Sequence, residues 1–110
     1  MRAAVFPLLV SIVGVGACGG KPARGQQLYA QQGCAVCHGA DARGDGPSVR
    51  RLDVPPRDLT DPRAYRNGAS ADRIATSIRT GAGAMPGYRE LSEEEAAAIA
   101  EWIVSRQRAR

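Results

Sequence analysis

The sequence predicts an all-α domain: three main helices joined by long irregular loops. Three observations carry that prediction: helical patterning from about Ala23 to Gln32, a stretch bracketed by Ser70 and Gly81, and a capping signal at Ser92 ahead of an apolar stripe. The first helix has Leu28 as its main large apolar residue and Gly33 as its stop. Residues 39–69 then hold Pro47, Pro55, Pro56 and Pro62 together with many of the glycines. A loop this long in so small a domain argues that it wraps something. Within it, Thr60-Asp61-Pro62 offers an N-cap with Pro at the first helical position, so a short helical turn is expected near 62–66. Ser70 caps the second helix, which runs to about Thr80 with Ile74 and Ile78 on one face and Gly81 at its end. Residues 81–89 form a second irregular loop. The last helix has the clearest start: Ser92 and Glu95 make a capping box, Leu91 precedes it, and Glu93 and Glu94 favour the positive helix end. Ile99, Trp102 and Ile103 give it an apolar stripe, and Arg106, Arg108 and Arg110 suit its C-terminal end.

The chain has 110 residues, enough for one small domain. Residues 1–17 read as a targeting segment. Arg2 supplies a positive charge, and Ala3 to Val15 is apolar apart from Pro7, Ser11 and Gly14, a run too short to span a bilayer comfortably. Val15-Gly16-Ala17-Cys18 resembles a bacterial lipoprotein signal, which implies cleavage before Cys18 and a lipid on its sulfur. An ordinary signal peptidase site ending near Ala17, with Cys18 left free, is the alternative. Residues 18–24 read as a tether, reaching roughly 20 Å when extended, and residues 25–110 as the folded domain. About 93 residues from Cys18 onward make a hydrophobic core alone marginal. The aromatics there are Tyr29, Tyr65, Tyr88 and Trp102, the one Phe being Phe6 of the signal. A buried flat cofactor would fill the middle. The formal charge of +4 is too small and dispersed for nucleic-acid binding, but it can steer the protein towards an acidic partner surface.

There are three cysteines, and once Cys18 is set aside the other two stand as Cys34-Ala35-Val36-Cys37, followed at once by His38. Cys-x-x-Cys-His is the attachment pattern of c-type haem. Two thiols on one turn can add across the two vinyl groups of a porphyrin, and the adjacent imidazole can reach the iron. Zinc would need four ligands, and no second Cys pair or His completes such a site. A thioredoxin-like pair would need a βαβ setting. His38 is the only His, which excludes bis-His ligation, and Met85 is the only Met after the signal. Met85 lies 47 residues beyond His38 in a glycine-rich loop stiffened by Pro86. An isolated Met usually fills a core, but this loop is polar and unlike a core segment, which favours Met85 as the sixth ligand.

The segment Gly25-x-x-Leu28-Tyr29-x-x-x-x-Cys34-x-x-Cys37-His38-Gly39, with Gly44-Asp45-Gly46-Pro47, Pro56-Arg57-Asp58-Leu59-Thr60, Met85-Pro86 and Leu91-Ser92-x-Glu94-Glu95, resembles the class I cytochromes c over nearly all of the chain after the signal. The resemblance implies the cytochrome c fold, with Gly25 and Tyr29 where the first and last helices cross against Trp102. It implies that the Pro47 carbonyl accepts from His38 Nδ1–H. It makes Arg57 and Tyr88 candidates for contacts to the haem propionates, the alternatives being a solvated Arg and a packing Tyr. His/Met ligation leaves no open position on the iron, so the expected function is periplasmic single-electron transfer and not catalysis. The expected partners are membrane-associated redox proteins, with the chain monomeric and held to an inner or outer bacterial membrane by its lipid. Two alternatives stay open: a haem enzyme or small-ligand sensor with a labile Met ligand, and a fixed cytochrome subunit of a larger respiratory complex.

Overall fold

The computed structural model describes residues 3–5 and 21–108. Residues 1–2 and 6–17 of the targeting segment, Cys18 and residues 19–20 of the tether lie outside the described residues. Helix α1 spans Lys21–Gln31, α2 Cys34–His38, α3 Ala71–Thr80 and α4 Glu93–Arg108, with short 3₁₀ turns at Val49–Arg51 and Pro62–Ala64. Among the described residues there is no strand, only an isolated bridge between Ala82 and Met85. No helix among them is long and apolar enough to cross a membrane.

The expected elements form, with local differences. Helix α1 starts at Lys21, inside the segment read as tether. Pro22 explains this, because a proline in the first helical turn gives up no hydrogen bond and its fixed φ suits the helix. Gly33, in the left-handed region at φ 77°, separates α1 from the one-turn helix α2. The turn near 62 is 3₁₀ and ends at Ala64, with the Asp61 carboxylate accepting from Arg63 N–H. At α3, Ser70 Oγ accepts from Arg73 N–H at 3.3 Å. At α4 the capping box is complete: Ser92 N–H donates to Glu95 Oε1 at 3.0 Å and Glu95 N–H to Ser92 Oγ at 3.1 Å.

The core lies where α4 packs against α1 and α3. Ile99 and Ala96 are fully enclosed, and Tyr29, Ile74, Ile78, Leu91, Trp102 and Ile103 are buried around them. The crossing of α1 and α4 is close because Gly25 has no side chain: a Cβ there would overlap the Ala98 carbonyl and lie 2.9 Å from Trp102 Cβ. One turn on, the Tyr29 and Trp102 rings meet at 4.6 Å with a 49° tilt. Gly25, Tyr29 and Trp102 thus stand where the resemblance put them.

Candidate haem site

Helix α2 is too short to satisfy its own carbonyls, and the loop after it does so. Gly39 N–H donates to Ala35 O at 2.9 Å, Gly44 N–H to His38 O at 2.7 Å, Gly46 N–H to Cys37 O at 3.1 Å and Ser48 N–H to Val36 O at 3.0 Å. Gly46 must be glycine for this, since a Cβ would collide with the Val36 and Cys37 carbonyls. From the other side the buried Tyr29 hydroxyl donates to Gly39 O at 2.6 Å. The motif helix is thereby locked between α1 and its own loop.

On that helix Cys34, Cys37 and His38 stand at i, i+3 and i+4, the spacing that places side chains on one face. Both thiols are free and half-buried. Burial pushes the Cys34 thiol up to about 11, with the nearby Cys37 adding to the effect. Burial also holds His38 below its usual range, the carbonyl of Arg57 partly opposing this. Burial thus favours the neutral imidazole, the form that binds iron.

Its Nδ1 lies 3.4 Å from the Arg57 carbonyl oxygen. That corrects the expected partner: Arg57, not Pro47, supplies the carbonyl facing His38. The cause is the course of the chain. Leu59 N–H donates to Ala42 O at 2.8 Å, and Gly44, at φ 80°, leaves room for the Pro56–Arg57 backbone, whose Pro56 oxygen would stand 2.8 Å from a Cβ there. Pro47 is exposed. A Nδ1–H directed at this carbonyl leaves Nε2 with the lone pair. The Arg57 guanidinium donates to Ala64 O at 2.8 Å, which ties the loop while leaving further N–H groups on an exposed side chain. Sequence reasoning missed the Arg57 carbonyl and the Tyr29 hydroxyl as supports of the motif; Gly44 and Gly46 were the available signal.

Met85 sits in the loop between α3 and α4, half-buried, in a turn closed by two bonds: Ala82 N–H to Met85 O at 3.1 Å and Met85 N–H to Ala82 O at 3.0 Å. Tyr88, three residues on, packs against the core, and its N–H donates to Ile78 O at 2.8 Å. Its hydroxyl pKa is raised by burial first, with Cys34 and Cys37 adding to the effect. Val36, Leu52 and Val54 are large apolar residues left exposed, the first on the motif helix itself. The residues present fit a covalent haem: two unpaired thiols on one helix turn, an imidazole facing a carbonyl, and the exposed apolar Val36 on the same helix. Among the described residues no cluster of three or more His, Cys, Asp or Glu side chains could hold a metal ion by itself.

A helical fold built around this motif defines a class I monohaem c-type cytochrome. Residues 20–103 match the family model described as Cytochrome C oxidase, cbb3-type, subunit III, and the chain belongs to that family. It is 32% identical over 87 residues to cytochrome c-551 of Azotobacter vinelandii, covering 74% of this chain and 95% of that protein. Cytochrome c6 of the diatom Phaeodactylum tricornutum has a similar structure, with a TM-score of 0.62 at 26% identity over 82% of this chain and 98% of that one. A chain of the Kuenenia stuttgartiensis reducing HAO-like protein complex Kustc0457/Kustc0458 superposes with a TM-score of 0.71 at 27% identity, over 78% of this chain and 43% of that longer one. The protein is a small c-type cytochrome electron carrier with one covalently bound haem c, and Cys34 and Cys37 have the spacing of its attachment.

Proposed function

We propose that His38 and Met85 are the two axial ligands and that the protein carries single electrons on the periplasmic side of a bacterial membrane. The observation that carries this reading is the pairing of a His38 whose Nδ1 faces the Arg57 carbonyl with a Met85 loop pinned to α3 through Tyr88 N–H and Ile78 O. When bound, haem supplies a one-electron couple, and a thioether ligand raises its potential. The chain supplies orientation and exclusion. The Arg57 carbonyl faces the imidazole, the four loop-to-α2 bonds hold the motif, and Met85 would supply the second ligand. An iron with both of these positions taken by protein would suit electron transfer and not bond-making.

Export follows from residues 1–17, and anchoring from a lipid on Cys18, with α1 beginning three residues later at Lys21. Redox proteins at the same membrane are the partners this arrangement serves. A second reading, that the domain is a fixed subunit of a larger complex, draws on the family description as an oxidase subunit and on the Kuenenia complex. Co-purification with membrane complexes through moderate salt would favour it.

The test is a visible spectrum, oxidised and reduced, of protein made with periplasmic haem attachment. A low-spin spectrum with the weak far-red sulfur-to-iron band, lost in Met85→Ala, is expected. A high-spin ferric spectrum, or one that shifts readily on adding small ligands, would overturn the closed site and favour an enzyme or sensor.

A further inference from the structure

The loop that carries Met85 crosses over itself, and the crossing is made of two glycines. A Cβ on Gly87 would stand 2.7 Å from Arg79 O, 2.7 Å from Thr80 C and 2.9 Å from Gly81 N, all backbone atoms at the end of α3. A Cβ on Gly81 would stand 3.1 Å from both Gly87 N and Met85 O. Gly81 also has φ 93°, whereas Gly87 is not among the positive-φ residues, so at Gly87 the demand is for space alone.

Around this crossing the loop is tied at each limb. Gly81 N–H continues the helix ladder to Ser77 O at 2.8 Å, and Tyr88 N–H returns to Ile78 O at 2.8 Å. Arg79 Nε donates to Leu91 O at 3.2 Å and its Nη1 meets Glu93 at 3.4 Å, closing the loop onto the start of α4. Between the limbs the turn 82–85 is closed by the paired Ala82 and Met85 bonds. Met85 is half-buried and outside the buried core, so core packing does not fix where its sulfur stands.

We infer that Gly87 is a positioning residue for Met85: the Gly81–Gly87 crossing sets how far the thioether reaches. This rests on Met85 being the sixth ligand. Any side chain at Gly87 must push the returning limb off the end of α3, and Met85 is only two residues away. Overpacking against fixed backbone atoms forces the limb to shift. Because a displaced ligand competes less well, that shift is read as a rise in affinity for an outside ligand of roughly five- to a hundredfold.

The experiment uses the haem-loaded protein and its Gly87→Ala variant, with imidazole as the outside ligand. The variant is expected to load haem, to lose much of the far-red sulfur-to-iron band, and to bind imidazole more tightly by that factor. With imidazole saturating both, the two proteins are expected to unfold at the same denaturant concentration, because the defect is confined to the sixth ligand. Loading that succeeds only when imidazole is supplied also supports the inference. An unchanged band and unchanged imidazole affinity overturn it. So does a variant that cannot be loaded even with imidazole, which would make the crossing a requirement of folding. A far-red band that survives Met85→Ala would instead sink the ligand assignment itself, a failure distinct from the behaviour of Gly87→Ala.

Discussion

Where α1 crosses α4, the contacts are between side chains on regular helices: Tyr29 on Trp102, Gly25 under Ala98, and Ile99 enclosed beside them. In the two loops that frame the haem motif the contacts are between backbones. Carbonyls of α2 and α3 accept from loop N–H groups, and glycines at 44, 46, 81 and 87 let the chains approach. The crossing is held by apolar burial and sets stability; the loops are held by main-chain bonds and set where His38 and Met85 stand. Substitutions should separate along that line. Those in the crossing should unfold the protein with the ligands unchanged in what survives, and those in the loops should alter ligation with little loss of stability.

The sharpest break is Trp102→Ala. Trp102 is 5% exposed and its ring meets that of Tyr29 at a tilt. Truncating a buried Trp typically costs 3–5 kcal/mol, a large share of what a domain of this size holds. Denaturant melts of the haem-loaded protein should show a midpoint far below that of the unsubstituted protein, with the native spectrum kept in dilute buffer by whatever fraction stays folded. A spectrum already altered there, with the fold intact, would show that the crossing also sets ligation and would dissolve the distinction.

Tyr29 joins the two regions, because its ring belongs to the crossing and its hydroxyl to the loop. Tyr29→Phe keeps the ring contact and removes one of two donors to the buried Gly39 carbonyl, Ala42 N–H remaining at 3.2 Å, at about 0.5–1.5 kcal/mol. The same hydroxyl gives a pH signature. Burial raises the Tyr29 pKa above its ordinary value and pushes Tyr65 up to about 12. Above pH ~10 the unfolded chain releases protons that the native state keeps, so stability falls as pH rises through that range. Chemical melts from pH 8 to 12 should show this decline, and Tyr29→Phe should flatten it. A decline of equal steepness in the variant would assign the alkaline loss to other groups.

The same division decides what could be read in the sequence. Side-chain patterns are written in residue types, so the capping box at Ser92, the Ser70 cap and the Ile74–Ile78 face were all legible, while the Gly25–Tyr29–Trp102 crossing came only through the family resemblance. The attachment motif was legible too, since its chemistry lies in Cys34, Cys37 and His38 themselves. Backbone acceptors were not. Every residue offers a carbonyl, and choosing Arg57 over Pro47 needs the path of the loop past Gly44. The Arg106–Asp41 pair at 3.4 Å, joining the end of α4 to the loop after the motif, spans too many residues for any local pattern to show. The start of α1 at Lys21 was blurred for the opposite reason, because Pro22 reads equally well as a tether residue and as a first helical turn.

The smallest effect tests whether the loop side is indifferent to helix stability. Ser92→Ala removes the acceptor for Glu95 N–H and half of the reciprocal cap at the start of α4, for a loss of about 1 kcal/mol. Leu91, just ahead of the cap, is buried in the core and its carbonyl takes the Arg79 guanidinium. The Met85 loop therefore ends on the residue next to the one changed. If crossing and loop are separable, Ser92→Ala lowers the denaturant midpoint modestly while the far-red band and imidazole affinity match the unsubstituted protein, because Arg79 and Leu91 still hold the limb. A shift in imidazole affinity comparable to that of Gly87→Ala would mean that fraying of α4 passes into the Met85 loop, and that the anchor of the sixth ligand is the cap and not the glycine crossing.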